Sequence, residues 1–343
     1  MTPRRVCVVP RVSGVGGMVS FRTRLVEGLR RRGLQVTDRL DDGPYRAVLV
    51  IGGMHDLPGL WQARRRGIPV VQRLNGMNWI HRLRRTGLKH FLRAEYGNCL
   101  LASIRQRLAT RIVYQSQFSK HWWERVYGPL NAPVSVVYNG VDLDSFSPNG
   151  SGEPPSNCVR ILVVEGNLAG GYEGGLESAV VSAERLQELL RKPVEVVVVG
   201  RVTPTLQSAW QQQARVRLNF SGLVKGERIP ELARSSHLLY AADVNAACPN
   251  SVVEALACGL PVLAFDTGAL REMVPVQAGR VVAYGGDPWK LDPPDTRLLA
   301  QAAVEVLATL PAFRSGARRW AEQVFGLDRM LDGYCQALEL GND

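Results

Sequence analysis

The residues of this chain that could do chemistry fall in three places. The first is the run Ala247-Cys-Pro-Asn-Ser-Val-Val-Glu-Ala-Leu-Ala-Cys-Gly-Leu-Pro-Val-Leu-Ala-Phe-Asp-Thr-Gly268. Ser251-x-x-Glu254 has the spacing of a capping box, in which Glu254 bonds back to the Ser251 amide. Gly259 would then end the helix and Pro261 open the next strand. A carboxylate in the first turn of a helix can equally accept two sugar hydroxyls. The second place is Ser13-Gly14-Val15-Gly16-Gly17, between an apolar run at Val6–Val9 and a helical pattern. Glycines there let the backbone approach a ligand, and a helix N-terminus favours phosphate. A dinucleotide fingerprint would need Gly or Ala where Val19 stands, so a ligand-contacting loop or a plain turn fits better than an NAD site. The third place is the segment 75–93. Asn75, Asn78 and His81 follow an apolar run at Pro69–Gln72. Arg82, Arg84, Arg85, Lys89 and Arg93 are then interleaved with Trp79, Leu83, Leu88, Phe91 and Leu92. The basic stretch reads as a solvated helix face or a membrane-surface contact, and His81 as a structural or an acceptor-side residue.

These residues must be carried by alternating strands and helices. Short apolar runs of strand length occur at Val6–Val9, Ala47–Ile51, Pro69–Gln72, Arg111–Gln115 and Val134–Tyr138. Others follow at Val159–Val164, Val194–Val199, Leu238–Ala241 and Pro261–Phe265. Helical patterns lie at Met18–Arg32, Ser103–Ala109 and Ser119–Tyr127, the last capped at Ser119 with its aromatics in the core. Further patterns lie at Leu176–Arg191, Ser251–Cys258 and Thr296–Leu310. Continuous valine-rich runs indicate parallel strands covered on both faces. Strands alternating with helices imply doubly wound α/β domains. Two such domains are expected from 343 residues. The first spans 1–145, completed by a C-terminal helix at about 320–343. A Ser/Pro/Gly/Asn-rich linker covers 146–157, and the second domain spans 158–319. Their strands' carboxyl ends would face a ligand-binding cleft.

Composition narrows the function. With 45% hydrophobic and 21% charged residues the chain is globular. Its apolar runs are too short to span a membrane, and the start lacks the pattern of a signal peptide. The cysteines, Cys7, Cys99, Cys158, Cys248, Cys258 and Cys335, form no CxxC pair, which points to a reducing compartment and a cytoplasmic protein. The five histidines show no metal-ligand spacing, so no metal site is expected. Residues 1–150 carry 24 Lys/Arg against 9 Asp/Glu, a balance of +15, whereas the remainder stands at −4. The halves therefore suit different partners. Without zinc-finger or RNP-like spacing, nucleic acid ranks below an anionic membrane face or an acidic substrate.

The run Ser251–Gly268, with Val-Glu-Ala-Leu-Ala-Cys-Gly-Leu-Pro-Val, resembles the donor-site signature of the bacterial-type family 4 retaining glycosyltransferases of the GT-B fold. Val137-Tyr-Asn-Gly-Val-Asp142 with Phe146-Ser-Pro148, Phe220-Ser-Gly-Leu-Val224, Asp266-Thr-Gly-Ala-Leu-Arg-Glu272 and the Gly16-Gly17 loop extend the likeness along the chain. The resemblance implies two Rossmann-like domains. The C-terminal one would bind a nucleoside-diphosphate sugar and the N-terminal one a glycan or lipid-linked acceptor. The sugar would move to an acceptor hydroxyl with retention and without a metal or other cofactor. Glu254 matches the ribose-binding second acid of a paired-glutamate motif. Pro249, Asn250 and Ser251 match the helix N-terminus that meets sugar or diphosphate, and Leu223 and Val224 the edge of the base pocket.

Three features depart from the family pattern: the first acid, the diphosphate clamp and a histidine. Ala246 stands where the first acid of the pair belongs. Gly166-Asn167 and Glu173-Gly174 stand where an arginine and a lysine clamp the diphosphate, and Asn75 replaces a histidine. Charge missing at a developing diphosphate costs orders of magnitude in rate. Arg201, Lys225 or Arg11 could supply it, or the glycine-rich loop Gly166–Gly175 could hold phosphate through its amides, the substitute favoured here. A catalytically silent sugar-nucleotide or glycan binder and a sugar-nucleotide epimerase on the same fold are the alternative readings.

Overall fold

The computed structural model describes residues 5–340 apart from 15, 86, 169 and 170. Val15 of the first glycine loop, Thr86 of the basic stretch and Ala169 and Gly170 of the second glycine-rich loop lie outside the described residues. So do the first four residues, on which the signal-peptide expectation rests.

The chain divides into two compact units. In the first, β1 (Arg5–Val9) leads into α1 (Gly17–Arg31), then β2 (Gln35–Thr37), β3 (Ala47–Ile51), α2 (Leu57–Arg65) and β4 (Val70–Leu74). There follow α3 (Leu88–Ser103), β5 (Arg111–Tyr114), α4 (Gln117–Tyr127) and β6 (Val134–Val136). The six strands form one parallel sheet in the order β2-β1-β3-β4-β5-β6. Strands β3 and β4 are buried along their whole length, as the unbroken apolar runs require of a parallel sheet covered on both faces.

The second unit opens with β7 (Val159–Asn167), α5 (Glu173–Leu190), β8 (Val194–Arg201), α6 (Pro204–Gln213) and β9 (Arg217–Gly222). It continues through α7 (Ile229–Arg234), β10 (Leu238–Tyr240), α8 (Asn250–Ala257), β11 (Val262–Phe265) and α9 (Leu270–Met273). It closes with β12 (Gly279–Val282), α10 (Thr296–Ala308) and α11 (Leu310–Val324). Its sheet is again parallel and six-stranded, in the order β12-β11-β10-β7-β8-β9. Leu176, Val180 and Ala183 of α5 pack with Leu299 and Ala303 of α10 over the valines of β7 and β8.

The chain then returns to the first unit with α12 (Leu327–Ala337). The return is driven by burial. Met330, Leu331 and Tyr334 fall on one face of α12 and join Phe21, Leu25 and Leu29 of α1 in a single core, where the Phe21 and Tyr334 rings lie 5.2 Å apart. The crossing residue is therefore 327, whereas about 320 was expected.

The Ser/Pro/Gly/Asn-rich segment expected as a linker belongs to the second unit. Arg234 donates to the carbonyls of Ser147 and Ser151, and Arg318 to those of Leu143, Phe146 and Ala257. Composition shows that a segment avoids regular structure, but not that two arginines tie it down. Two helix starts also differ from expectation. Ser116, not Ser119, caps α4, and Ser119 is its capping-box partner. The pattern at Ser103–Ala109 is the end of α3 running into a π-helical turn at Ile104–Leu108.

Candidate functional site

In a parallel α/β sheet, loops that follow the strands gather at the carboxyl edge, where ligands bind. In the second unit that edge carries Gly166 and Asn167 on β7, Arg201 on β8, and Leu223, Val224 and Lys225 after β9. The chain from Ala241 to Pro249 runs from β10 into α8. Helix α8 starts one residue earlier than its sequence suggests. Pro249 is the N-cap, no side chain caps the helix, and its first turn holds no acid. The expected capping box is thus not formed. Ser251 is the second helical residue, and Glu254 sits a full turn in, 8% exposed. What remains at the helix start is a run of amide donors with the positive end of the dipole, an arrangement suited to an oxyanion.

The loop before α8 is the most constrained stretch of this edge. Ala246, in the place of the motif's first acid, is buried, and its carbonyl accepts from Ala269 N–H at 2.8 Å. Gly268 has φ +58 and lies against the Ala246 backbone, where a Cβ would clash. Asn245, which precedes Ala246, adopts φ +59, a region that non-glycine residues rarely occupy. Asn245 is 4% exposed, and its Nδ2 has no hydrogen-bond partner among the described residues. Asn is the non-glycine residue type that tolerates this conformation best, and its buried donor without an acceptor makes it a candidate site residue. Sequence reading passed over Asn245 because the motif places its acid at 246.

Two further residues went unread. Glu165 at the end of β7 and Asp243 after β10 approach each other at the sheet edge, and both are partly buried. Desolvation first, then the Asp243 charge, hold Glu165 well above the usual carboxylate range, although the Ala242 and Asp243 amides donate to it. Desolvation pushes Asp243 up to about 6. Gly175 of α5 closes the same corner, since a Cβ there would sit 2.6 Å from the Ala242 carbonyl oxygen. Only the signal of two acids ending neighbouring strands could have pointed to this pair, and strand order is not written in the chain.

The altered clamp is also placed. Asn167 lies in register with Arg201 on the neighbouring strand, and Leu168 N–H donates to the Arg201 carbonyl. The Arg201 side chain is exposed and has no ion-pair partner among the described residues. Glu173, in the place of the clamp lysine, accepts from Gly171 N–H at 2.9 Å. One amide of the glycine-rich loop is therefore already engaged, and Gly175 serves packing, which weakens the loop as a phosphate cradle. Lys225 and Leu223 are exposed beyond β9. Arg11 belongs to the first unit, 3.7 Å from Asp38.

In the first unit, Gly16 caps α1 with φ +141 and no side chain, and Gly17 is the first helical residue, with no acid in the first turn. The Asn75 carbonyl accepts from Trp123 Nε1 at 2.6 Å. Asn78 exchanges two backbone hydrogen bonds with the buried Asn98 side chain. His81 is turned away from solvent. It is 5% exposed, its Nε2 lies 2.8 Å from Glu95, and Phe91 packs edge-on against the ring. Arg82 first, then His81, lower Glu95 to about 2. The rest of the basic stretch is outward. Leu88, Phe91, Leu92 and Tyr96 share an exposed face of α3, with Leu88 75% and Leu92 59% exposed. Beside them Arg84, Arg85, Lys89 and Arg93 have no ion-pair partner among the described residues. No described helix is long and apolar enough to cross a membrane.

The acid pair has a measurable consequence. Asp243 holds its proton more tightly folded than unfolded, so stability falls as pH rises from about 4 to about 6 and stays low above that. Asp243→Asn is expected to reduce that slope, leaving the share of the desolvated Glu165, and to stabilise the second unit at neutral pH by about 1–3 kcal/mol. Melting curves at pH 4.5 and 7.5 read both effects. An unchanged pH slope in the variant would show that the pair ionises freely.

Comparison with known proteins accords with this geometry. The family model for group 1 glycosyl transferases matches residues 160–309, and that for Glycosyltransferase Family 4 matches residues 45–145. A D-inositol 3-phosphate glycosyltransferase of Catenulispora acidiphila is 26% identical over 326 residues, covering 87% of this chain and 74% of that protein. An uncharacterized glycosyltransferase of Methanocaldococcus jannaschii is 25% identical over 191 residues, and the match spans only 48% of its length. Among solved structures, sucrose-phosphate synthase from Thermosynechococcus elongatus superposes with a TM-score of 0.72 at 15% identity, over 97% of both chains. The Anabaena protein HepE, solved in complex with UDP-glucose, gives 0.69 at 16% identity over 98% of this chain and 99% of its own. Two parallel six-stranded units, each matched by its own family model, make this chain a member of the group 1 and family 4 glycosyltransferases with the GT-B fold.

Proposed function

We propose that the protein transfers a sugar from a nucleoside-diphosphate donor held by the second unit to a hydroxyl of a glycan or lipid-linked acceptor held by the first. Transfer proceeds with retention and without a metal ion. The observation that carries this reading is the edge built by α8: a helix start with no side-chain cap, the buried Glu254 one turn in, and Asn245 with its Nδ2 lacking an acceptor. An anionic diphosphate suits the helix start. Glu254 accepts two ribose hydroxyls, and the Asn245 amide donates to the transferred sugar where the motif's acid is absent. Arg201 stands beside Asn167 and supplies the positive charge that stabilises the departing diphosphate. Lys225 and Leu223 lie at the edge expected to meet the base. That HepE was solved with UDP-glucose supports a nucleotide-sugar donor.

The exposed Leu88/Phe91/Leu92/Tyr96 face, with its flanking cations, is proposed to rest on an anionic membrane surface, as a lipid-linked acceptor would require. The N-terminal asparagines Asn75 and Asn78 are read as acceptor-side residues.

Two measurements test these assignments. In calorimetric titration with UDP-glucose, Glu254→Gln is expected to weaken binding by about 1.5–3 kcal/mol. Arg201→Ala is expected to lower turnover at least about tenfold, or about 1.4 kcal/mol, with binding less affected. Unchanged affinity in Glu254→Gln removes the ribose assignment, and binding without any turnover in the unmodified protein favours the silent-binder reading. Co-sedimentation with anionic vesicles is expected at low salt and to be lost when Arg84, Arg85 and Lys89 are all replaced by glutamate. A protein that stays in the supernatant with anionic and neutral vesicles alike would contradict membrane docking.

A further inference from the structure

The first unit contains a second feature that the donor chemistry leaves unused. Between α1 and the edge strand β2 runs a groove of about 810 Å³, lined by Arg5, Arg11, Arg22, Arg30, Asp38 and Asp42 among others. Arg22, Val26 and Arg30 follow one another at four-residue intervals, so they share one face of α1, with the Cα atoms of the two arginines roughly 12 Å apart along the axis. The opposite wall is β2, an edge strand that pairs only with β1.

Charge in this groove is not balanced. Asp38 lies 3.7 Å from Arg11 and 3.6 Å from Arg22, so one carboxylate serves two guanidiniums. Asp42 accepts from the Thr37 hydroxyl at 2.6 Å and lies 3.9 Å from Arg39, while Arg5 spends its donors on Gln35 and the Asp42 carbonyl. Arg30 is exposed with no ion-pair partner among the described residues. Arg22 keeps 17% of its side chain exposed in this groove, and its nearest carboxylate, Asp38, is shared with Arg11. Its Nε is out of solvent contact and has no hydrogen-bond partner among the described residues. A guanidinium only partly neutralised by a shared carboxylate leaves positive charge facing the groove, which suits an anionic ligand.

We infer that this groove binds an elongated polyanionic glycan, with anionic groups spaced to meet Arg22 and Arg30 in turn. Two arginines eight residues apart on one helix face suit anionic groups carried on successive units of a saccharide chain, bearing sulfate, phosphate or carboxylate, better than one phosphate. This inference rests on the reading of the first unit as the acceptor side, and it names the acceptor class: an acidic glycan whose body lies along α1.

The test uses the full chain and a fluorescently labelled, sulfated maltohexaose, with unsulfated maltohexaose and inorganic phosphate as comparisons. Anisotropy titration at physiological salt is expected to show saturable binding of the sulfated probe, at least a hundredfold weaker binding of the other two, and weakening as salt rises. Arg22→Gln and Arg30→Glu, the latter at an exposed position where folding is not at stake, are each expected to reduce affinity at least tenfold. The charge control Arg329→Glu, at an exposed position of α12 outside the groove, is expected to change it less than twofold. Equal losses in Arg30→Glu and Arg329→Glu would overturn the inference, since binding would then follow net charge alone. So would competition by phosphate at the probe's own concentration, which would mean a single-anion site. Displacement of the probe by anionic vesicles in the unmodified chain but not in Arg84→Glu would assign the charge to a lipid surface and overturn it likewise. UDP-glucose binding, measured separately, keeps the readings apart. Probe binding without donor binding defeats the proposed function and leaves the groove, and donor binding without probe binding does the reverse.

Discussion

The Glu165 carboxylate, accepting from the Ala242 and Asp243 amides, is the interaction on which the donor edge depends. The ladder between β7 and β10 is short, with Leu238 and Leu239 paired to Ile161 and Leu162. On its other side β10 pairs with β11, and the chain leaving it is held by Ala241 N–H to the Leu263 carbonyl and by Ala269 N–H to the Ala246 carbonyl. A side chain at the end of β7 adds to this hold, and it does so at the cost of a second carboxylate nearby. Gly175 and Gly268 then press the loop from both sides, fixing Asn245 in a strained conformation directly ahead of the helix that carries Glu254. The backbone ahead of α8 is thus set by packing rather than by loose side chains.

The two units differ in electrostatics. The carboxyl edge of the second sheet carries Asn167 and Glu165 on β7 and Glu173 at the start of α5, with Arg201 on the neighbouring strand. Positive charge is concentrated in the first unit, on the outward face of α3 and in the groove along α1. Amide dipoles and hydrogen bonds at the second edge act over short range, whereas the charge of the first unit acts over longer distances.

Much of this fold was legible in the sequence, for a physical reason. Strands buried on both faces must be apolar throughout, so the valine runs at β3, β7 and β8 marked themselves, and helices between them left little but a doubly wound topology. Tertiary ties escaped. Ser147–Gly152 reads as linker because composition is blind to Arg234 and Arg318, and His81 reads as an open choice until Glu95 and Phe91 close around it. At the site, Glu254 and the start of α8 were visible as a motif, because local spacing encodes a helix terminus. Asn245, Asp243 and Glu165 were not, because their meaning arises from strand order and from a positive φ. Asn245 stands one residue from the motif position, where the eye looks for an acid and finds Ala246.

The central claim is that a nucleotide sugar seats on the carboxyl edge of the second sheet, against α8 and beside Arg201. Amide hydrogen exchange of the full chain with and without UDP-glucose tests it most directly, because it reports each backbone segment separately. Protection concentrated in the loop from 243 to 254 and at the ends of β7 and β8, with the first unit unchanged, is the result expected. Protection confined to the first unit, or none at a concentration where calorimetry shows binding, would contradict it.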